Sequence, residues 1–137
     1  MKGRVLIIAG SDCSGGAGIQ ADIKSVTALG GYAATAITAL TIQNTTGVFD
    51  VLGISPEMIV HQATVTIDDI GADAVKTGML HSVPVIEAVA EFIKSKCIDI
   101  PIVIDPVMIS QSGARLLEED AVDALITHMV PLATVLT

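Results

Sequence analysis

The stretch RVLIIAGSDCSGGAGIQAD, from Arg4 to Asp22, joins a predicted strand to a predicted helix through a glycine-rich loop. The segment RVLIIAG is a continuous, mostly apolar run that ends in glycine, which is typical of a strand buried on both faces of a sheet. After the loop, apolar side chains recur at helical spacing at Ile19, Ile23, Val26 and Leu29. Because Gly30 and Gly31 favour a helix end, the stretch predicts the first strand–helix unit of an α/β fold.

The alternation of strand and helix continues along the rest of the chain. Further strands are predicted in TAITALTI, VLGI, ADAVKTGM, IPIVIDPVM and ATVLT. Helices are predicted after Ser55, after Ser82 and within EEDAVDALITHM, because hydroxyl caps, early prolines and acidic first turns favour helix starts. Strands and helices that alternate over short connections predict an α/β fold with a doubly wound, mainly parallel sheet.

Composition and charge exclude several classes of protein. The chain has 137 residues, of which 51% are apolar, and a formal net charge of −8. It contains no apolar run of the roughly 18 residues that a membrane helix needs, and its N-terminus lacks the pattern of a secretory signal. An acidic chain with 2% aromatic residues lacks the basic face and stacking platforms that nucleic acids require. We therefore expect a cytoplasmic protein that binds neither membrane nor nucleic acid.

The predicted last strand, ATVLT, leads to the expectation that the fold is larger than this chain. A strand buried within a parallel sheet needs a hydrogen-bonded neighbour on each side, so it makes a poor chain end. We therefore expect a fragment, or one half of a longer α/β fold.

Polar and flexible segments follow the predicted strands, namely AGSDCSGGAG, IQNTTG, KTGML and IDPVMISQSG. The carboxyl ends of parallel strands meet at one edge of the sheet, where open α/β sheets bind their ligands. The sequence therefore predicts one cavity mouth lined by Asp12, Gln43, Asn44, Lys76, Met79, Asp105 and Met108.

The glycine loop is close to two phosphate-binding motifs and satisfies neither. Residues 16–21 match G-x-G-x-x-G/A, but the next predicted strand ends in IQN, without the carboxylate that holds the ribose of a dinucleotide. Gly10 and Gly15 have the spacing of a P-loop, but Gly16 and Ala17 stand where that motif has lysine and Ser/Thr. A purely structural interpretation also remains open, in which the loop is a tight turn whose glycines only allow close packing of helix and strand.

Side chains predicted at the mouth suit a small, neutral ring that carries nitrogen. The loop supplies backbone amide groups at a helix start that are available to polar atoms of a ligand. Gln43 offers both donors and an acceptor, which suits the edge of an aminopyrimidine or a similar heteroaromatic ring. Met79 and Val107 supply apolar walls.

Five segments together resemble the hydroxymethylpyrimidine kinase/phosphomethylpyrimidine kinase family of thiamine biosynthesis, in the ribokinase-like superfamily. They are IAGSDCSGGAGIQADIKS, ITALTIQNTTGV, VKTGML, VIDPVM and PLATVLT, in the order and spacing of that family. The resemblance implies a ribokinase-like, Rossmann-type three-layer fold, with residues 1–137 as the N-terminal, substrate-binding half of a single domain. It also implies a cytoplasmic enzyme that uses ATP and Mg²⁺ to phosphorylate 4-amino-5-hydroxymethyl-2-methylpyrimidine and then its monophosphate.

The resemblance assigns roles to particular residues of this chain. It implies substrate binding by Gly10, Asp22, Gln43, Met79 and Val107, and places Asp105 near the phosphate and magnesium. The catalytic cysteine, its anion hole and most of the ATP site are expected in the part of the family's length that this chain lacks. The chain alone is therefore expected to bind the pyrimidine weakly and to transfer no phosphate, and the resemblance implies a homodimer or completion by a C-terminal fragment.

Several alternatives stay open at this point. A pyridoxal or pyridoxine kinase of the same superfamily takes a similar flat ring, and a non-catalytic fragment or binding module is a different class altogether. Lys76 either extends to the rim of the mouth or pairs with a carboxylate such as Asp105, and Asp22 is alternatively an exposed helix carboxylate. The thiol of Cys13 lies within the loop and could face a ligand.

Overall fold

A six-stranded sheet forms the centre of the computed structural model, which describes residues 2–109, 113, 116–117 and 120–137. The strands are β1 (Arg4–Asp12), β2 (Tyr32–Gln43), β3 (Val48–Gly53), β4 (Ala74–Thr77), β5 (Ile102–Ile104) and β6 (Val135–Leu136). Their order across the sheet is β3-β2-β1-β4-β5-β6. Strand β3 runs antiparallel to β2 and the other neighbouring pairs are parallel, which confirms the mainly parallel sheet.

The helices begin close to the positions that the sequence predicts. They are α1 (Gly18–Ala28), α2 (Pro56–Asp69), α3 (Val83–Lys96) and α4 (Ala121–Ala124), the last continuing as a π-helical turn (Leu125–Met129) and a 3₁₀ turn (Val130–Leu132). Before α2, the Ser55 hydroxyl accepts a hydrogen bond from the Met58 amide at 3.4 Å, which satisfies one free amide of the first turn. At the end of α3, Lys94 and Lys96 lie in the last turn, where positive charge is favoured.

Helices cover both faces of the sheet, as a doubly wound fold requires. On one face, Leu6 and Ile8 of β1 belong to a large cluster that also contains buried side chains of α2, α3 and α4. On the other face, Ile7 and Ala9 pack with Ile19 of α1 in a smaller cluster. Successive residues of a strand point to opposite faces, so a continuous apolar run places β1 inside both clusters.

Two predicted apolar helix faces are narrower than their spacing suggests. On α1, Ile19 is buried, but Ile23 lies at the edge of the packed stripe and Leu29 is 73% exposed. Leu29 comes after the last helical residue, so helical spacing no longer turns it toward the sheet. Beyond α4, Ile126 is 53% exposed in the π-helical turn, although its neighbour Leu125 is buried.

Strand β3 differs from the prediction in length, direction and exposure. It begins at Val48, before the predicted VLGI segment, and forms the antiparallel edge of the sheet. The β2–β3 hairpin exposes several large apolar side chains, including Phe49 at 68%. The others are Leu40, Ile42, Val51 and Leu52. No helix among residues 2–109 and 120–137 is long and apolar enough to cross a membrane.

Candidate functional site

A cavity of about 470 Å³ opens at the carboxyl ends of β1, β2, β4 and β5. Topology places it there, because these parallel strands end at the same edge of the sheet. Its lining includes all six residues to which the family resemblance assigns a role: Gly10, Asp22, Gln43, Met79, Asp105 and Val107. The structure therefore brings these six residues together at one cavity, while their roles in binding a substrate stay predictions.

The carboxylate of Asp12 occupies the centre of the glycine loop. It accepts hydrogen bonds from the backbone amides of Ser14, Gly16 and Ala17 at 2.8–2.9 Å and from the Ser14 hydroxyl at 2.7 Å. Burial by itself raises the pKa of Asp12, but the hydrogen bonds from Ser14, Ala17 and Gly16 together lower it below the ordinary value. The expectation that these amides are available to a ligand is wrong, because the chain's own carboxylate already uses them.

Contacts on either side fix the loop against β1. Gln20 of α1 accepts a hydrogen bond from the Asp12 amide at 2.8 Å and donates one to the Ser11 hydroxyl at 2.7 Å. Gly18 has a φ of 55°, and a Cβ at this position would collide with the Gly10 carbonyl oxygen. This close approach of α1 to β1 requires glycine, so part of the loop's glycine content is structural.

Gln43 lies at the end of β2 with its backbone anchored and its amide side chain at the cavity. The Cys13 thiol donates to the Gln43 carbonyl oxygen at 3.1 Å, and the Gln43 amide donates back to Sγ at 3.5 Å. In the part of the chain that the structure describes, the hydrogen bonds of Gln43 involve only its backbone. Pairing of its carboxamide with a ligand stays a prediction. The thiol of Cys13 braces this strand end and is not among the lining groups.

Met79 forms the apolar floor of the cavity and is held there by two neighbours. The buried Thr38 hydroxyl donates a hydrogen bond of 2.6 Å to the Met79 carbonyl oxygen. A Cβ at Gly10 would lie only 2.8 Å from the Met79 methyl carbon, so the absence of a side chain at Gly10 makes room for Met79. Thr38 is a positioning residue that sequence reasoning missed, since a threonine within an apolar strand pattern carries no signal of its own.

Three charged side chains meet on the side of the cavity that faces α1. The Lys76 ammonium lies 2.9 Å from an Asp22 oxygen and 3.6 Å from an Asp105 oxygen. The pairing interpretation of Lys76 therefore describes the structure, although the shorter contact is with Asp22 and not with Asp105. Asp22 is correspondingly not a freely exposed helix carboxylate.

The segment after β5 supplies the remaining wall. Val107 lines the cavity, its amide donating to the Asp105 carbonyl oxygen at 2.8 Å in a tight turn. Met108 was expected at the mouth but packs against the large apolar cluster instead. Adjacent residues alternate direction in extended chain, so only one of this pair can face the cavity. Residues 110–112 of the predicted loop lie outside the described residues.

Comparison with known proteins agrees with the resemblance found in the sequence. A family model described as phosphomethylpyrimidine kinase matches residues 12–137. The chain belongs to the phosphomethylpyrimidine kinase family. This match confirms the resemblance carried by the five sequence segments.

Named relatives in this family are similar over nearly all of the chain. A hydroxymethylpyrimidine/phosphomethylpyrimidine kinase of Mycobacterium leprae is 49% identical over 134 residues, covering 98% of this chain and 48% of the relative. A bifunctional thiamine biosynthesis protein of Geobacter sulfurreducens is 45% identical over 99% of this chain and 28% of its own length. The chain thus spans about half the length, or less, of these curated relatives.

Solved structures confirm the ribokinase-like kinase fold. A phosphomethylpyrimidine kinase of Clostridium difficile superposes with a TM-score of 0.89 at 45% identity, over 97% of this chain and 57% of that chain. A pyridoxal kinase of Staphylococcus aureus, in complex with AMP-PCP, gives a TM-score of 0.81 at 34% identity over 97% of this chain and 47% of that chain.

Asp105, which the resemblance places near the phosphate and magnesium, lines the cavity with a side chain that is 42% exposed. Mg²⁺ is commonly bound by one or two carboxylates together with water and substrate phosphates, so a full protein cage is not required. Within residues 2–109, 113, 116–117 and 120–137, no cluster of three or more His, Cys, Asp or Glu side chains forms a complete metal site.

Proposed function

We propose that this chain supplies the pyrimidine-binding part of a hydroxymethylpyrimidine/phosphomethylpyrimidine kinase of the cytoplasmic thiamine pathway. The proposed reaction transfers phosphate from ATP to the hydroxymethyl group of 4-amino-5-hydroxymethyl-2-methylpyrimidine, and then to the monophosphate. The observation that carries the proposal is the placement of Gln43, Met79 and Val107 around one cavity of suitable size, beside the charged group of Asp22, Lys76 and Asp105. We take residues 1–137 as the N-terminal half of a single ribokinase-like domain.

Each wall of the cavity has a distinct task in this proposal. The Gln43 carboxamide pairs with the ring nitrogen and amino group of the pyrimidine, since it offers a donor and an acceptor side by side. Met79 and Val107 hold the two faces of the ring through apolar contact. Asp22 borders the ring with its carboxylate, which the Lys76 ammonium keeps in place at 2.9 Å.

Phosphate transfer needs parts beyond those that line this cavity. Bound Mg²⁺ would neutralise the charge of the transferring phosphate, and Asp105 is the residue of this chain proposed to hold it. Family resemblance assigns the catalytic cysteine and most of the ATP site to a segment not present in residues 1–137. Phosphoryl transfer depends on positioning and charge neutralisation, so we propose that the 137-residue chain binds the pyrimidine but does not turn over ATP.

Calorimetric titration with hydroxymethylpyrimidine tests the ring contact directly. Replacing Gln43 by alanine removes two neutral hydrogen bonds, which together correspond to roughly a tenfold loss of affinity. Gln62→Ala is the matched control of the same residue type. Gln62 exchanges hydrogen bonds with the backbone of Ile37 in β2 and does not line the cavity. Equal affinities of wild type and Gln43→Ala would remove Gln43 from the site.

Pyridoxal kinase activity is the competing function. It is supported by the structural similarity to the pyridoxal kinase of Staphylococcus aureus. The two activities differ in the ring that enters the cavity, and Gln43 followed by Asn44 at the end of β2 favours the aminopyrimidine. Titration of the same sample with pyridoxal and with hydroxymethylpyrimidine separates them. Tighter binding of the aminopyrimidine supports our proposal, and tighter binding of pyridoxal contradicts it.

Self-association is the partner interaction that we propose. Exposed apolar side chains are typical of protein contact surfaces, and the β2–β3 hairpin exposes Leu40, Ile42, Phe49 and Leu52. We propose a homodimer through this hairpin. Light scattering after size exclusion gives the mass, and Phe49→Glu is expected to yield a monomer. A monomeric wild type that dimerises only with an added C-terminal fragment would favour completion by that fragment.

A further inference from the structure

Lys76 lies between two carboxylates that belong to different elements of the fold. Its side chain extends from β4, with Nζ 2.9 Å from Asp22 on α1 and 3.6 Å from Asp105 beyond β5. The side chains of Lys76 and Asp22 are only 21% and 22% exposed. Charges at such partly buried positions are screened by salt less than surface charges, so the ammonium acts strongly on anything that enters the cavity.

The Lys76 ammonium keeps hydrogen-bonding capacity at the cavity. Lys76 is itself a lining residue, and Gly78 lies so close beside it that a Cβ there would be 3.3 Å from Nζ. An ammonium group has three donors, and among the described residues one of them is used in a hydrogen bond, the one to Asp22. The approach of Asp105 at 3.6 Å is longer than a hydrogen bond. A ligand oxygen can therefore be bound by Lys76 without breaking the Asp22 contact.

The charge balance of the lining makes this donor selective. Among the described lining residues, Lys76 is the only cation, whereas Asp12, Asp22 and Asp105 are acidic. A neutral ring enters such a cavity without a Coulomb penalty. An anionic ligand is repelled by the carboxylates unless a nearby cation compensates for them. The Lys76 ammonium is thus the group in this part of the chain that decides whether an anion is tolerated.

We infer that Lys76 binds the phosphate ester of the monophosphate substrate and so determines whether the phosphorylated ring is accepted. The inference rests on the proposed function, in which the free alcohol and its monophosphate enter the same cavity. The ammonium keeps Asp22 as its partner and offers its remaining donors to the phosphate. Asp22 then borders the ring, while Lys76 binds its phosphate ester.

Titration of the 137-residue chain with each of the two compounds tests this assignment. Lys76→Gln is expected to bind the monophosphate at least about tenfold more weakly, because a charge-assisted hydrogen bond is lost. The affinity for the neutral hydroxymethylpyrimidine should fall by a clearly smaller factor, since that ligand loses only the support that Lys76 gives to Asp22 and no charged group of its own loses a partner. Lys76→Arg retains a cation and should recover part of the affinity for the monophosphate.

Lys94→Gln provides the matched control, since it removes the same charge from the exposed last turn of α3. It should leave both affinities unchanged. Equal losses for both compounds in Lys76→Gln would assign Lys76 a structural role and overturn the inference, as would an unchanged affinity for the monophosphate. If Lys76→Gln does not fold, the wild type decides: it must bind the monophosphate at least as tightly as the neutral alcohol, because the three lining carboxylates alone would make the anion bind more weakly. Weaker binding of the monophosphate would overturn the inference.

Failure of the proposed function has a different signature. A wild-type chain that binds neither compound would overturn the proposed function together with this inference. If the wild type binds both compounds and Lys76→Gln weakens the affinity for both equally, the proposed function stands and only the role of Lys76 is overturned.

Discussion

Asp12 shows how a single side chain decides what a glycine-rich loop can do. Glycine spacing alone favoured a phosphate cradle, and it predicted correctly that backbone amides converge at the start of α1. It could not show that the carboxylate of Asp12, three residues before Gly15, folds back and accepts hydrogen bonds from these amides. Local hydrogen bonding between an Asx side chain and the amides that follow it is common, so the S-D-x-S-G-G spacing carries a signal that motif matching overlooks.

Replacing Asp12 by asparagine is expected to destabilise the fold by about 2 kcal/mol at neutral pH. The loop amides then face a weaker, uncharged acceptor and a competing NH₂ group. The pKa of Asp12 is lowered in the folded protein, so its contribution is complete above the ordinary value of 3.8 and is lost as pH falls toward the lowered value. The difference in unfolding free energy between wild type and Asp12→Asn, measured by urea denaturation, should therefore shrink below pH 4.

The two cysteines should react very differently with a thiol reagent. Cys13 is exposed at the loop, whereas Cys97 is buried at the end of α3, where burial raises the pKa of its thiol to about 11. Maleimide labelling of the folded chain at pH 7.5 should modify Cys13 and spare Cys97, as read by peptide mass spectrometry. Cys13→Ser removes the reactive site and serves as the control. Modification of Cys97 at a similar rate would contradict the packing of α3 described above.

At the scale of elements, periodic patterns predicted most of the strands and helices but not their edges. Buried strands and capped helices were located because each has a local signal, such as Ser55 and Pro56 before α2. The sequence did not predict the direction of β3, which pairs with β2 in an antiparallel hairpin. No residue pattern distinguished such a hairpin from a further parallel strand. Exposure of Leu29 was missed because helical spacing does not show where α1 ends.

Gly18 at the start of α1 is expected to tolerate no side chain. Gly18→Ala forces a positive φ on a residue with a Cβ and drives that atom against the Gly10 carbonyl oxygen. Backbone strain and the clash together should cost at least about 2 kcal/mol. Gly16→Ala is the matched control, because its added Cβ would lie 3.7 Å from its nearest neighbour. Thermal unfolding of the two variants checks this difference, and similar melting temperatures would contradict the close approach of α1 to β1.

At the scale of the molecule, the sequence predicted which residues surround the cavity and not how they contact one another. Parallel strand ends meet by topology, so Gly10, Gln43 and Met79 were placed together without knowledge of any distance. The choice of Asp22 over Asp105 as the hydrogen-bonded partner of Lys76 depends on the position of α1 across the sheet, which no local pattern encodes. Charge pairing between distant segments is a product of the whole fold.

Stability should be divided unequally between the two faces of the sheet. The cluster beneath α2 and α3 contains many more buried side chains than the cluster beneath α1, and Ile86 in the larger cluster is fully buried. Ile86→Ala is expected to cost 2–5 kcal/mol through lost burial and the cavity that remains. The exposed Leu29→Ala should change the unfolding free energy by no more than about 0.5 kcal/mol. Urea denaturation of both variants measures these costs, and equal values would contradict the core described here.

The occupied glycine loop has a consequence for inhibitor chemistry. A compound designed with an acidic tail for the glycine loop, as is done for phosphate loops, would meet the Asp12 carboxylate, which already binds the amides of Ser14, Gly16 and Ala17. Such a tail would lose its hydration without gaining these donors. Selective compounds for this cavity should therefore carry neutral polar groups toward the loop and direct any negative charge toward Lys76.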